Sequence, residues 1–190
     1  LRDAYIRCGF DVVFSESSPA TPFQLIKGVA RLCIAGGDGT VRNVLEQGDL
    51  RGSTVAVDVY PAGTINLIAR EWNVPTDPDA FVQTSITRAP RPLFPVRLND
   101  TNFLACASIG PDARAVAGLS AAVKRRIGRL AYVVAMMKVL MDWQRPRLRV
   151  FVDGKRIDCE AVFIAKGRFY AGSWSFAPAA RLDEPILHVV

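Results

Sequence analysis

The chain has 190 residues, half of them hydrophobic, and a formal net charge of +6. That apolar content can build a real core in one domain or two small ones. The positive balance favours anionic partners, namely nucleotide phosphates or an acidic membrane surface; nucleic acid is the weakest of these, since no RNA-binding aromatic signature or zinc-finger spacing accompanies the dispersed Lys and Arg.

Residues Leu1 to Gly9 read as the tail of a helix, followed by a strand from Phe10 to Phe14. Thr21-Pro22 predicts the start of a helix running to Ala30. Leu32-Cys33-Ile34-Ala35 is a short apolar run that reads as a buried strand. It leads into Gly36-Gly37-Asp38-Gly39-Thr40, and the sequence turns helix-like from Val41. A glycine-rich turn between strand and helix lets the backbone approach a phosphate, and the helix N-terminus offers free N–H groups and a positive dipole end. The alternative is a type I′ Asp-Gly turn between two strands.

A second unit repeats the pattern. Thr54 to Val59 is strand-like, Tyr60-Pro61-Ala62-Gly63-Thr64 is a turn, and Ile65 to Trp72 reads as a helix with Thr64 as its N-cap. Two such units in tandem imply parallel strands whose carboxyl ends share one edge, where open α/β sheets place their ligands. Thr76-Asp77-Pro78-Asp79 opens a further helix to about Ile86. Ala89-Pro90-Arg91-Pro92 marks the boundary between a first domain, 1–90, and a second, 91–190.

Beyond it, Leu93 to Leu98 and Asn102 to Ser108 read as strands around an Asn99-Asp100 turn. A long helical region is expected from Asp112 to Trp143, with Gly128 as a break. Its stripe of Val116, Leu119, Val123, Ile127, Leu130, Val134, Met137 and Met141 reads as core-facing, with a lipid-facing surface as the alternative. Lys124-Arg125-Arg126 reads as a solvated face or an anionic-lipid contact. The rest is β-rich: Leu148 to Val152, an Asp153-Gly154 hairpin turn, Ile157 to Lys166, and Ile186 to Val190 with the lone His188 facing outward.

Taken together, Gly36 to Thr40, Pro61 to Arg70, Phe103 to Ala113, Gly128 to Tyr132, Val152 to Gly154, Gly167 to Gly172 and Ala177 to Ala180 resemble, in order, the diacylglycerol kinase/sphingosine kinase-like lipid kinases. The bacterial soluble branch is the nearest in pattern. The resemblance implies an α/β nucleotide-binding domain with a parallel sheet, of the NAD kinase/diacylglycerol kinase type, then a β-sandwich with a helical insertion. It further implies ATP and Mg2+ as cofactors, a lipid hydroxyl as acceptor, and peripheral contact with an anionic membrane surface. The family's first strand, with its phosphate turn, and its C-terminal return strands have no counterpart here. The chain is therefore expected to be part of a longer kinase, inactive alone and prone to self-association through an open sheet edge.

Phosphoryl transfer needs a phosphate cradle, a metal ion and a proton acceptor. Gly36, Gly37, Gly39 and Thr40 are expected to supply the cradle, with Gly63 and Thr64 as the opposing wall. Asp38 is the candidate for metal organisation or proton acceptance. Asn66 either bonds a ribose or phosphate oxygen or ties the second turn to the first. Asp112 reads as an N-cap, and the resemblance adds a lipid head-group contact. Three positions depart from the family pattern. Arg42 follows Val41 where the family has Asn, Asp58 stands in a strand where a small or apolar residue is usual, and Glu184-Pro185 replaces an Asp-Gly that helps hold a structural magnesium. Glutamate can still ligate, so Glu184 remains a metal candidate.

Two other readings stay open: an NAD kinase, which shares Gly-Gly-Asp-Gly-Thr, and a non-catalytic nucleotide- or lipid-binding regulatory homologue. Cys8, Cys33, Cys106 and Cys159 lack paired spacing, which points to a reducing, cytoplasmic setting. No stretch reads as a signal peptide or a bilayer span.

Overall fold

A computed structural model of the chain describes residues 1–16, 21–48, 50, 53–118 and 129–190. Arg31–Gly36 forms β1, and Ala56–Pro61 forms β2. They pair in parallel, with Ile34 opposite Val59 and Gly36 opposite Pro61. A parallel pair needs a crossover, and α2 (Asp38–Gln47) provides it. Both glycine turns therefore leave the sheet at one edge, and Asp38 begins a helix rather than a hairpin. α1 (Arg2–Arg7) and α4 (Pro78–Thr87) pack together; Asp77 caps α4 by accepting the Ala80 N–H at 2.9 Å.

Asp58 belongs to this packing. Its carboxylate accepts from Arg31 Nη1 at 2.9 and 2.8 Å, from Ser85 Oγ at 2.6 Å and from the Tyr5 hydroxyl at 3.0 Å. A charge in a strand is tolerated when its lone pairs are all engaged. One carboxylate thus ties α1, β1, β2 and α4 together.

The second half is antiparallel. β3 (Val96–Leu98) and β4 (Thr101–Phe103) form a hairpin through Asn99, which takes the left-handed conformation at φ 52°. β5 (Cys106–Ile109) leads to α5 (Pro111–Ala117), and α6 spans Arg129–Met141. β6 (Leu148–Val152) and β7 (Lys155–Cys159) turn through Asp153 and Gly154, both at positive φ as a type I′ turn requires. β8 (Val162–Ala165) lies between β5 and β9 (His188–Val189).

Several sequence expectations are corrected. Residues 22–30 are not helical: Phe23 is buried in the core, its N–H donates to Gln47 Oε1 at 2.7 Å, and Gly28 sits at φ 84°. Phe10 to Phe14 is extended without a ladder partner among the described residues, because Phe10 and Val12 pack onto the α1–α4 cluster instead. Leu104 and Ala105 interrupt the expected strand by turning into the core, and Ile157 to Lys166 is split into β7 and β8. The helical stripe is not core-facing where it is described. Val116 is 46% exposed, Val134 68%, Met137 62% and Met141 79%, because α5 and α6 pack on each other. Leu119, Val123, Ile127, Gly128 and the Lys124-Arg125-Arg126 cluster lie outside the described residues, as does the side chain of Leu130.

The main core joins both halves. Ile34, Val41, Val44, Val59 and Ile68 pack with Leu104 and Leu182, which arrive from beyond residue 100. Burying two leucines in the partner half's core is worth about 1.5–3 kcal/mol each.

Candidate active site

Gly37 caps α2 with extended backbone, φ −88° and ψ 178°, and as a glycine offers no side-chain acceptor to the helix's first N–H groups. Those first-turn amides have no partner within the helix and carry its positive dipole end. The second glycine turn lies directly against this end. A Cβ on Gly63 would stand 2.5 Å from the Gly37 Cα and 2.7 Å from Asn66 Oδ1. Only glycine permits that approach.

The four glycines of the cradle have different reasons to be glycine. A Cβ on Gly36 would strike Thr40 at 2.6 Å, so Gly36 and Thr40 pack on each other. Gly37 and Gly63 are packed backbone to backbone. Gly39 is different: a Cβ there meets nothing within 4 Å. Neither Gly39 nor Gly63 has a positive φ; close approach explains Gly63, and no contact within the chain explains Gly39.

Asp38 is the join between the two turns. Its Oδ2 accepts the Leu67 N–H at 2.9 Å and its Oδ1 the Ile68 N–H at 3.1 Å. These amides open α3 (Leu67–Glu71), which Asp38 caps from across the crevice. Thr64 is therefore not the N-cap; it is exposed in the turn. The capping position belongs to Asn66, at φ 54°, whose side chain closes the second turn on itself. Its Oδ1 accepts from Gly63 N at 2.9 Å and its Nδ2 donates to Gly63 O at 2.8 Å. Arg42 is half-exposed, donating to Asn43 Oδ1 at 3.2 Å and lying 4.0 Å from Glu46 Oε2.

Burial pushes the Cys106 thiol up to about 11, and the nearby charges of Asp112 and Asp38 push in the same direction. Both carboxylates thus bear on one thiol. Asp112 accepts from Ser108 Oγ at 2.6 Å. It is not the N-cap of α5; that place is Gly110's, with Pro111 first in the helix.

Two charged residues that sequence reasoning missed secure Leu182, which enters the core shared with the first half. Glu71 ends α3, where an acidic side chain opposes the helix dipole and so needs outside donors. It finds Leu182 N at 2.8 Å and Arg168 N at 2.7 Å. Lys166, 1% exposed, donates from Nζ to the carbonyls of Arg181, Leu182 and Glu184 at 2.6, 3.0 and 2.6 Å. A lysine directly after the apolar run Val162 to Ala165 was the available signal. The Glu184 carboxylate itself lies 3.4 Å from Arg181 Nε and is half-exposed. Among the described residues no three His, Cys, Asp or Glu side chains gather as metal ligands.

Residues 20–97 match the diacylglycerol kinase catalytic domain, and residues 105–190 match the YegS C-terminal NAD kinase beta sandwich-like domain. Among curated relatives, the chain is 29% identical to a "Probable lipid kinase YegS-like" protein of Chromohalobacter salexigens, over 86% of this chain and 54% of that one. It is 27% identical to the "Diacylglycerol kinase" of Staphylococcus carnosus, over 80% of this chain and 51% of that one. A crystal structure of a diacylglycerol kinase from Bacillus anthracis superposes with a TM-score of 0.63 at 21% identity, covering 85% of this chain and 53% of that chain. The chain spans about half the length of the curated relatives it matches.

Proposed function

The chain belongs to the diacylglycerol kinase-like lipid kinase family, and from that premise we propose that it forms the nucleotide-binding crevice of an ATP-dependent lipid kinase. The acceptor is the hydroxyl of a diacylglycerol-like or long-chain lipid. The observation that carries this reading is the contrast among the glycines. A Cβ would clash at Gly36 and Gly63 and crowd its neighbour at Gly37, whereas Gly39 leaves open space at the start of α2, whose N-cap is a glycine. We assign that space to the triphosphate, to be met by first-turn amides of α2 with Thr40 beside it.

Mg2+ bound with ATP would supply charge neutralisation at the phosphates. Asp38 is the acidic group in reach. Two of its roughly four lone-pair positions hold α3, and the others are available to the metal or to the acceptor's proton. Asn66 serves by fixing the Gly63 turn, so that Gly63 and Thr64 form the opposite wall. Asp112, which the resemblance links to the lipid head group and whose charge bears on the same thiol as that of Asp38, is the residue we assign to that contact.

The apolar side of α6, with Val133, Val134, Met137, Leu140 and Met141 exposed, suits the acyl region of a membrane surface. No helix among the described residues is long and apolar enough to cross a membrane. Peripheral attachment at the cytoplasmic face is the corresponding reading. Because Asp38 is already engaged with α3, a nucleotide-binding homologue without turnover is the second reading.

The test, made on the product of the complete gene, is transfer of label from γ-labelled ATP in mixed micelles containing diacylglycerol, ceramide and monoacylglycerol, with NAD+ as a competing acceptor. Label in a lipid is the expected outcome. Label in NADP+ would replace the lipid reading, and ATP binding with no labelled product would favour the regulatory one.

A further inference from the structure

The 181–184 loop is where the family resemblance implies a structural magnesium, and the residues present do not fit one. Its two acidic side chains are both directed to Arg181: Asp183 Oδ1 lies 3.2 Å and Glu184 Oε1 3.4 Å from Arg181 Nε. Three of its backbone carbonyls, those of Arg181, Leu182 and Glu184, converge instead on Lys166 Nζ. An ammonium has three donors and here each has an acceptor, so the group is protonated and fully satisfied in a buried place. Magnesium demands near-octahedral oxygen ligands at about 2.0–2.1 Å. A dication within reach of these carbonyls would also stand beside a buried positive charge.

We propose that the Lys166 ammonium is the resident cation of this loop, taking the place of a divalent metal, so that the joint between the two halves forms without one. The loop matters to the fold because Leu182 enters the main core, its N–H is held by Glu71, and its carbonyl also accepts from Phe94 N at 3.3 Å. Lys166 Nζ further lies 5.8 Å from the centroid of the Phe94 ring, a second cation-stabilising contact. Glu71, Asp183 and Glu184 favour the charged ammonium, against the burial that pulls Lys166 below the usual lysine value. The inference does not depend on nucleotide binding, so it and the kinase reading can fail separately.

Thermal unfolding without nucleotide tests it. The wild-type chain is expected to melt at the same temperature in EDTA and in saturating MgCl2. Lys166→Met, which keeps the stem but strands the buried Leu182 carbonyl and the partly buried carbonyls of Arg181 and Glu184, should melt roughly 5–10 °C lower. Because that variant can fail to fold, Mn2+ is also titrated into the wild-type protein and amide NMR signals are followed. The signals of Leu182, Asp183 and Glu184 should stay sharp. Paramagnetic broadening of those amides, a saturable Mg2+-dependent rise in the wild-type melting temperature, or a Lys166→Met variant that melts with the wild type would overturn the proposal.

Discussion

At the scale of single residues, the candidate site is organised by what each glycine excludes. The two turns touch through Gly37 and Gly63, and Asn66 and Asp38 fix them there with two hydrogen bonds each. A methyl group at residue 63 has nowhere to go, so Gly63→Ala should cost about 1–3 kcal/mol by overpacking. At residue 39 the methyl meets open space in a helix, so Gly39→Ala should be neutral or stabilising by up to about 1 kcal/mol. Urea denaturation of the two variants checks the difference. Equal losses would mean that the glycines share one structural role. The Gly-Asp-Gly-Thr and Ala-Gly-Thr turns were legible because strand, turn and helix signals follow one another locally. That Asp38 caps a helix 29 residues away was not, since nothing in the local pattern encodes a partner across the sheet edge. The same holds for Asp58, whose partners come from three other elements.

At the scale of elements, α3 is short for a helix and is held from outside at both ends. Asp38 receives its first amides, and Glu71 at its other end receives two amides of the second half. A second latch runs from α2 to β4: Glu46 Oε1 accepts Thr101 Oγ1 at 2.8 Å and Asn102 N at 2.6 Å. The Asn102 amide, then the Thr101 hydroxyl, hold the Glu46 carboxyl below its ordinary value of 4.5. A depressed folded-state value means that this latch contributes stability above that pH and loses it as the pH falls through the folded value. Glu46→Gln should therefore be less stable than the wild type at neutral pH, and the gap should close on acidification below about pH 4. Chemical denaturation at a series of pH values measures it; a gap that is constant with pH would show that the carboxylate charge is irrelevant.

Element boundaries follow the same logic. β1, β2, α2, α4 and β6 with its Asp153-Gly154 turn carry their own periodicity, caps and turn residues, and the sequence places them closely. Residues 22–30 lose a helix because Phe23 is drawn into the core, and the Asn102 to Ser108 run breaks because Leu104 is. Long-range burial overrode local propensity in both cases.

At the scale of the molecule, the two halves share a core through Leu104 and Leu182, and Glu71 and Glu46 each bridge them, while Lys166 holds the loop that carries Leu182. α3 thus contacts the second half at one end through Glu71 and the crevice at the other through Asp38. The exposed stripe of α6 was legible as a stripe but not as a surface, because periodicity reports that a face is apolar and not what covers it. The central claim is that the space beside Gly39 receives the phosphates of ATP. Calorimetric titration of MgATP into the 190-residue chain and its Gly39→Val variant tests it most directly, with melting curves recorded to show that both are folded. The account predicts one-site binding to the wild-type chain and a loss of at least about tenfold in affinity, 1.4 kcal/mol, for the variant. A folded Gly39→Val protein that binds MgATP as the wild type does would contradict it.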